Sequence, residues 1–317
     1  MKIRRVRPSI RLVAAAVLVG TAFAGHVGAF ESGRASFALA VNDDLVIPYR
    51  VLAVYVLPGE QLRLKADGVS GSASAGELIT TAAGTWQWTA PASPGLETVT
   101  FAASQDTIRL NVFVMHPAAS VKDGQLNDYS IGAYPAPLRG DRIYLAPDGF
   151  IELNESNAEI ELSPHFRLGQ FPSKQAGDLP KYLVLREALL LKLELLLEHV
   201  NDSGITADAF TVMSGYRTPV YNRGIGNGQH SRHIYGGAAD IYIDVAPNDG
   251  IMDDLNADGR LDFRDAQHLH RLAEELFSRP AHRHLQGGRG VYRSTPAHGP
   301  FLHIDARGVR ARWGLIP

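Results

Sequence analysis

There is no cysteine in this 317-residue chain. That excludes disulfide bridges, a thiol nucleophile, a lipid-modified N-terminal cysteine and thiolate metal ligands, so a zinc site would have to be built from His, Asp and Glu. An excess of one charge is also lacking: 31 Lys and Arg stand against 33 Asp and Glu, for a formal net charge of −2 and a pI near 6.6. Nucleic-acid binders carry a clustered basic face, and no nucleic-acid partner is expected here. Long hydrophobic runs are few. The run that matters, Leu12 to Ala24 (LVAAAVLVGTAFA), is too short for a membrane span, which needs roughly 20 residues. It follows the basic segment Met1 to Arg7 and precedes small residues at Ala22-Phe23-Ala24 and Val27-Gly28-Ala29. This is the pattern of a secretory signal peptide over 1–29. The alternative is an uncleaved anchor, the only case in which a membrane contact is expected. Either way the rest of the chain is expected outside the cytoplasm, periplasmic or secreted.

What remains is 45% apolar overall, enough for a sizeable core, and long enough for two domains. Residues 30–117 read as strands: FALAV, LVIPYRVLAVYVL, EQLRLKA, TWQWTA, ETVTFAA and TIRLNVFVM, separated by turns such as Pro58-Gly59, Asp67-Gly68 and Ser93-Pro94-Gly95. The expectation is a small all-β sandwich acting as an accessory module. In TWQWTA, Trp86 and Trp88 share one face, and core packing is their expected role. Residues 118–180 are irregular, with strand-like pieces RIYLA and FIELN, and read as a linker and entry to a second domain. Over 181–317 the pattern becomes mixed. Lys181 to Val200 is a leucine-rich helix, Phe210 to Ser214 and Ala239 to Val245 are strands, Asp265 to Ser278 is a second helix, and Phe301 to Ile304 is a terminal strand. Without regular βαβ units, the class expected for this part is α+β.

The chemistry concentrates between Ser214 and Asp240. His233 and Asp240 lie seven residues apart, with Gly236, Gly237, Ala238 and Ala239 between them. Glycine permits tight backbone and alanine permits close packing beside an ion. His303, in the alternating stretch Phe301-Leu302-His303-Ile304-Asp305, is positioned to give a third ligand. Two His and one carboxylate leave an open position on tetrahedral zinc, the catalytic arrangement. The same donor set describes an iron facial triad, and spacing alone leaves that open.

Three separated pieces then occur in order: Ser214-Gly215-Tyr216-Arg217-Thr218, Ser231-x-His233-x-x-Gly236-x-Ala238-x-Asp240, and His303-x-Asp305. Together they resemble the M15 peptidase family, the zinc D-Ala-D-Ala carboxypeptidase-like group of the LAS metallopeptidases. Gly287-Gly288-x-Gly290-x-Tyr292 followed by Phe301 to Asp305 is most similar to the branch that contains periplasmic murein endopeptidases. The resemblance covers roughly Tyr182 to Trp313 and leaves out the N-terminal strands. It implies a LAS-like α+β catalytic domain with one zinc ion on His233, Asp240 and His303. It implies that Arg217 contacts a substrate carbonyl or carboxylate. The implied reaction is hydrolysis of peptidoglycan stem or cross-link peptides, by a murein endopeptidase or a D,D-carboxypeptidase. The chain departs from the family at the catalytic base: relatives carry a His or an acid two or three positions before the last ligand, where this sequence has Phe301 and Pro300. Asp305 and His298 are the candidates for that role, with His230 weaker. Asp305, two residues from His303 on one strand face, can equally orient His303 or serve as a structural acceptor. The missing base keeps a second reading open, a catalytically degenerate cell-wall-binding or scaffold protein.

One further motif lies between the strand of Asp240 and the second helix. Asp254, Asn256, Asp258, Asp262 and Asp265 fall at positions 1, 3, 5, 9 and 12 of an EF-hand-type loop, with Gly259 at 6 and Arg260 at 7. Calcium is the expected ion; an Asp/Asn-rich turn without an ion is the alternative.

Overall fold

The described residues open with nine strands: β1 (Arg34–Val41), β2 (Leu45–Tyr49), β3 (Val51–Val56), β4 (Gln61–Lys65), β5 (Ser70–Ala73), β6 (Glu77–Ala82), β7 (Thr85–Thr89), β8 (Gly95–Ala102) and β9 (Thr107–Val114). The computed structural model describes residues 30–245 and 247–316, so the expected signal segment 1–29 lies outside the described residues. The strands form two sheets, ordered β2-β1-β4-β7-β6 and β3-β9-β8-β5. Alternation decides which side chains turn inward: in β4, Leu62 and Leu64 are buried between exposed neighbours, and in β7 Trp86 and Trp88 are the buried pair. Trp86 meets Phe101 of the facing sheet edge-on, at 4.9 Å between ring centroids. Trp88 is fully buried, and its indole N–H donates to the Ala75 carbonyl at 2.9 Å. The run LVIPYRVLAVYVL, continuous in the sequence, breaks at exposed Arg50 and sends β2 and β3 to different sheets. Pro48 is tolerated because β2 is an edge strand. Strands β5 and β6 lack an apolar alternation, and only the structure reveals them.

Residues 118–180 are packed, not free. Gly149–Leu153 pairs with His116–Pro117 on one side and Lys181–Leu183 on the other, and Leu162, Phe166, Leu168 and Phe171 are fully buried. FIELN is thus a strand, but RIYLA is not. Arg142–Tyr144 forms a 3-10 turn because the Asp141 carboxylate accepts from the Ile143 amide. Asn111 donates to the Glu161 carbonyl at 2.8 Å and Arg34 pairs with Glu198 at 2.7 Å, which ties the N-terminal sheets to the C-terminal part of the chain.

The leucine-rich helix α1 runs Glu187–Asp202, starting later than its pattern predicts because Lys181–Leu183 are claimed by the strand pairing. Leu189, Leu193 and Leu196 are fully buried, as a core stripe should be. A short α2 (Pro219–Gly224) begins at Pro219, with the Thr218 hydroxyl capping it. The amphipathic α3 (Phe263–Phe277) begins with a reciprocal capping box, Asp262 and Asp265 each accepting from the other's end of the first turn. The last sheet has the order Thr211–Ser214, Ala238–Tyr242, Phe301–Asp305, Gly288–Tyr292, Ala311–Gly314; all pairs are antiparallel except the final one. α3 packs against its back. Helices and strands are mixed without βαβ repetition, compatible with the α+β class.

Candidate metal centre

The register of the last sheet assembles the site. Ser214 pairs with Asp240, Asp240 with His303, His303 with Gly290, and Gly290 with Trp313. Directly paired residues share a face, so these five positions form one row across the sheet. The glycine has a steric reason. A Cβ at Gly290 or Gly288 would run into the Trp313 indole, which lies over both and stands 5.1 Å from the His303 ring.

His233 arrives from outside the row. It sits on the 3-10 turn Arg232–Tyr235, which ends at Gly236 with φ +65. A side chain at 236 would collide with the Val184 carbonyl. Gly236→Val is therefore expected to cost more than about 2 kcal/mol, from steric overlap plus left-handed strain. A shifted denaturant midpoint would show this; an unchanged one would contradict it.

Three ligand atoms converge: His233 Nε2 lies 3.1 Å from His303 Nδ1 and 3.2 Å from Asp240 Oδ1, and the last two are 2.8 Å apart. Among the described residues this is the one group of three or more His, Asp or Glu close enough together to hold a metal ion. Tetrahedral zinc with bonds of about 2.0–2.1 Å separates its ligands by about 3.3 Å, so the triangle fits with a small expansion. The second atoms of each group are committed. His233 Nδ1–H donates to the Gly215 carbonyl at 2.6 Å, which leaves Nε2 with its lone pair facing the cluster. His303 Nε2 points the other way, to Asp305 Oδ2 at 3.4 Å. Asp240 Oδ2 accepts from Arg217 Nη2, and Arg217 Nε donates to Ser214 Oγ at 2.8 Å.

Electrostatics follow the same pattern. Burial pushes His233 down, helped by the charges of Arg217 and His303. Burial alone would raise Asp240, but the two imidazoles hold it well below the usual carboxylate range. His303 is pulled down by burial yet ends up raised, because the Asp240 and Asp305 carboxylates outweigh burial. A neutral His233 beside an ionised Asp240 is the protonation state that a cation needs.

The structure brings Arg217, His233, Asp240 and His303 together and gives the other candidates different positions. Asp305 is fully buried behind His303, on the nitrogen opposite the cluster. It accepts from the Gly288 amide at 2.9 Å and from Arg307 Nη2 at 2.6 Å. A carboxylate so occupied is held well below its usual range, against the effect of its own burial. His298 precedes the strand, bonds the Gly299 carbonyl at 2.8 Å and stands edge-on to Phe301. No hydrogen bond among the described residues joins it to the cluster. His230 faces Tyr144 and Tyr235. Ser231 begins the 3-10 turn without a side-chain capping bond. In the Asp-rich loop the carboxylates serve their own backbone: Asp254 accepts from Gly259, Asp258 from Arg260, Asp262 from Arg264, and Asp265 from Leu255 and Asp262.

Two side chains near the cluster, Tyr292 and Trp313, carry no role that sequence reasoning assigns. Tyr292 stacks on Phe301 at 4.6 Å and accepts from the Trp313 indole N–H at 2.8 Å. Its place in Gly288-x-Gly290-x-Tyr292, on the face of His303, is the available signal.

A family model described as Peptidase M15 matches residues 184–263. The match includes Arg217, His233 and Asp240 and ends before His303, which joins the cluster on geometry alone. No curated protein matches the chain.

Proposed function

The chain carries a Peptidase M15 region over residues 184–263, and on that premise we propose that it is a zinc-dependent peptidase. The observation that carries this reading is the convergence of His233 Nε2, Asp240 Oδ1 and His303 Nδ1, each on a side chain whose other polar atom is already bonded. Zinc held by these three atoms supplies a Lewis acid and lowers the pKa of water to about 7. Peptidoglycan stem or cross-link peptides are the substrate class, on the resemblance of the separated motifs to murein endopeptidases. The N-terminal sheets are an accessory module, and the compartment lies outside the cytoplasm.

The chain's own residues divide the remaining work. Gly215 O and Asp305 fix the two imidazoles, which makes Asp305 a positioning residue and not the base. Arg217 balances Asp240 and stands beside the cluster, where a guanidinium can hold a substrate carbonyl or carboxylate. Tyr292 supplies a hydrogen-bond donor. Indole N–H only donates, so the Trp313 contact occupies a lone pair of Tyr292 and leaves the phenol hydrogen uncommitted. Burial, with the charge of Asp240, raises the Tyr292 pKa, so the phenol stays protonated at neutral pH. On this reading its hydroxyl donates to the scissile carbonyl oxygen as negative charge develops there. Tyr292→Phe is expected to lower kcat by about 10²-fold with KM little changed and zinc content intact. A kcat equal to wild type would remove Tyr292 from the reaction.

The experiment for the whole reading is digestion of purified muropeptides followed by mass spectrometry, with and without chelator. Cleavage that stops on chelation and returns with zinc supports it. A protein that binds zinc and murein but cleaves nothing is the degenerate binding protein instead.

A further inference from the structure

On the other side of the last sheet lies a feature that the proposed reaction does not use. A cavity of about 630 Å³ opens between α3 and the C-terminal strand Ala311–Gly314. One wall is a helix face: Arg264, Gln267, Arg271 and Glu274 recur at three- and four-residue intervals, while Ala266, Leu269, Ala273 and Leu276 take the opposite, buried face. Arg310 and Arg312 form the other wall, and His270 lines the interior.

The charges there do not balance. Glu274 alone collects Arg289, Arg310 and Arg312. Arg289 and Arg312 are direct partners on neighbouring strands, where like charges repel. Arg264 and Arg271 add two more guanidiniums; Arg264 leans on Asp262, and Arg271 donates to neutral His268. Asp258 is the one other acid on the lining. Five arginines thus meet three carboxylates. Two buried residues also hold unpartnered polar atoms: His270, 7% exposed, at Nε2, and Arg289, 1% exposed, at Nε and Nη1. Burial, and then the charges of Arg289 and Arg312, push His270 down to about 4. A bound anion would relieve that field.

We propose that this cavity binds a phosphate-bearing organic anion, with Arg264, Arg271 and Arg310 gripping the phosphate above the buried His270 ring. Guanidinium forks match tetrahedral oxyanions bidentately. A bare phosphate would fill a small part of the space; cavities of about 300–1,000 Å³ suit ligands with an organic body, here a sugar or polyol phosphate.

Calorimetric titration of the full chain with glycerol 3-phosphate, and separately with citrate at matched ionic strength, tests this. The expected result is saturable one-to-one binding of the phosphate ester, weakened at least about tenfold in Arg271→Ala/Arg310→Ala. Both residues are exposed, so the double variant should fold. His303→Ala should leave the binding unchanged, which separates this site from the metal centre. The His270 ring, followed by NMR, should titrate at higher pH with the ester present. No saturable heat, binding of citrate but not of the ester, an unaltered double variant, or loss of binding in His303→Ala would each overturn the proposal.

Discussion

His303→Ala is expected to lower peptide hydrolysis by about 10³-fold or more and to leave the purified protein without stoichiometric zinc. The reasoning starts from the triangle of ligand atoms. Removing one of three donors leaves His233 and Asp240, two contacts that any solvent-exposed pair can match. The loss should not come from unfolding. Asp305 keeps its bonds to Gly288 and Arg307, and Trp313 still covers the glycines beside it. Asp305→Asn gives the intermediate case. The ligand set survives, but the carboxylate behind His303 Nε2 is gone, and metal affinity should fall about 10–100-fold with activity restored by added zinc. Metal analysis after gel filtration, together with muropeptide cleavage rates, distinguishes the two variants. A His303→Ala protein with wild-type zinc content would mean that the ion sits elsewhere. Wild-type rates in Asp305→Asn would remove the positioning role.

How much of the site is legible in the sequence depends on whether the signal is local. His233 and Asp240 carry their spacing within one short stretch, and the alternation around His303 marks its face. The pairing that brings Asp240 to His303 comes from sheet order, which no local pattern encodes. The base candidates show the limit most clearly. Strand periodicity puts Asp305 on the correct face, but only the fold shows that it meets the far nitrogen of His303. His298 is near in sequence, yet its loop turns it toward Gly299 and Phe301. Helix α1 is plain from its leucines, although its start is not, because Lys181–Leu183 pair with the distant strand Gly149–Leu153. Trp313 cannot be interpreted at all without Gly288 and Gly290 beneath it.

The second large effect concerns stability and comes from Lys192. This residue occupies a buried position on α1, fully enclosed, with Nζ donating to the Asp305 carbonyl at 2.7 Å and lying 4.7 Å from the centre of the Phe277 ring. Burial, then the charge of Arg289, lowers its pKa to about 7, against the pull of Asp305. An unfolded lysine titrates near about 10.4. The protonated form is therefore disfavoured in the fold. The destabilisation is fully present below pH 7 and is relieved as pH rises from 7 toward the unfolded value. Lys192→Met removes the titration while keeping most of the volume. The unfolding free energy of the wild type relative to Lys192→Met is expected to rise by about 4 kcal/mol between roughly pH 7 and 10.5. Denaturant unfolding of both proteins in chelator, across that window, measures it; groups common to the two cancel in the difference. A difference that stays constant with pH would show that Lys192 keeps an ordinary pKa inside the fold. The same bond has a functional consequence. Lys192 holds the main chain at Asp305, Asp305 faces His303, and His303 faces Asp240 and His233, so the ammonium that weakens the fold at neutral pH also fixes one end of the strand that carries His303.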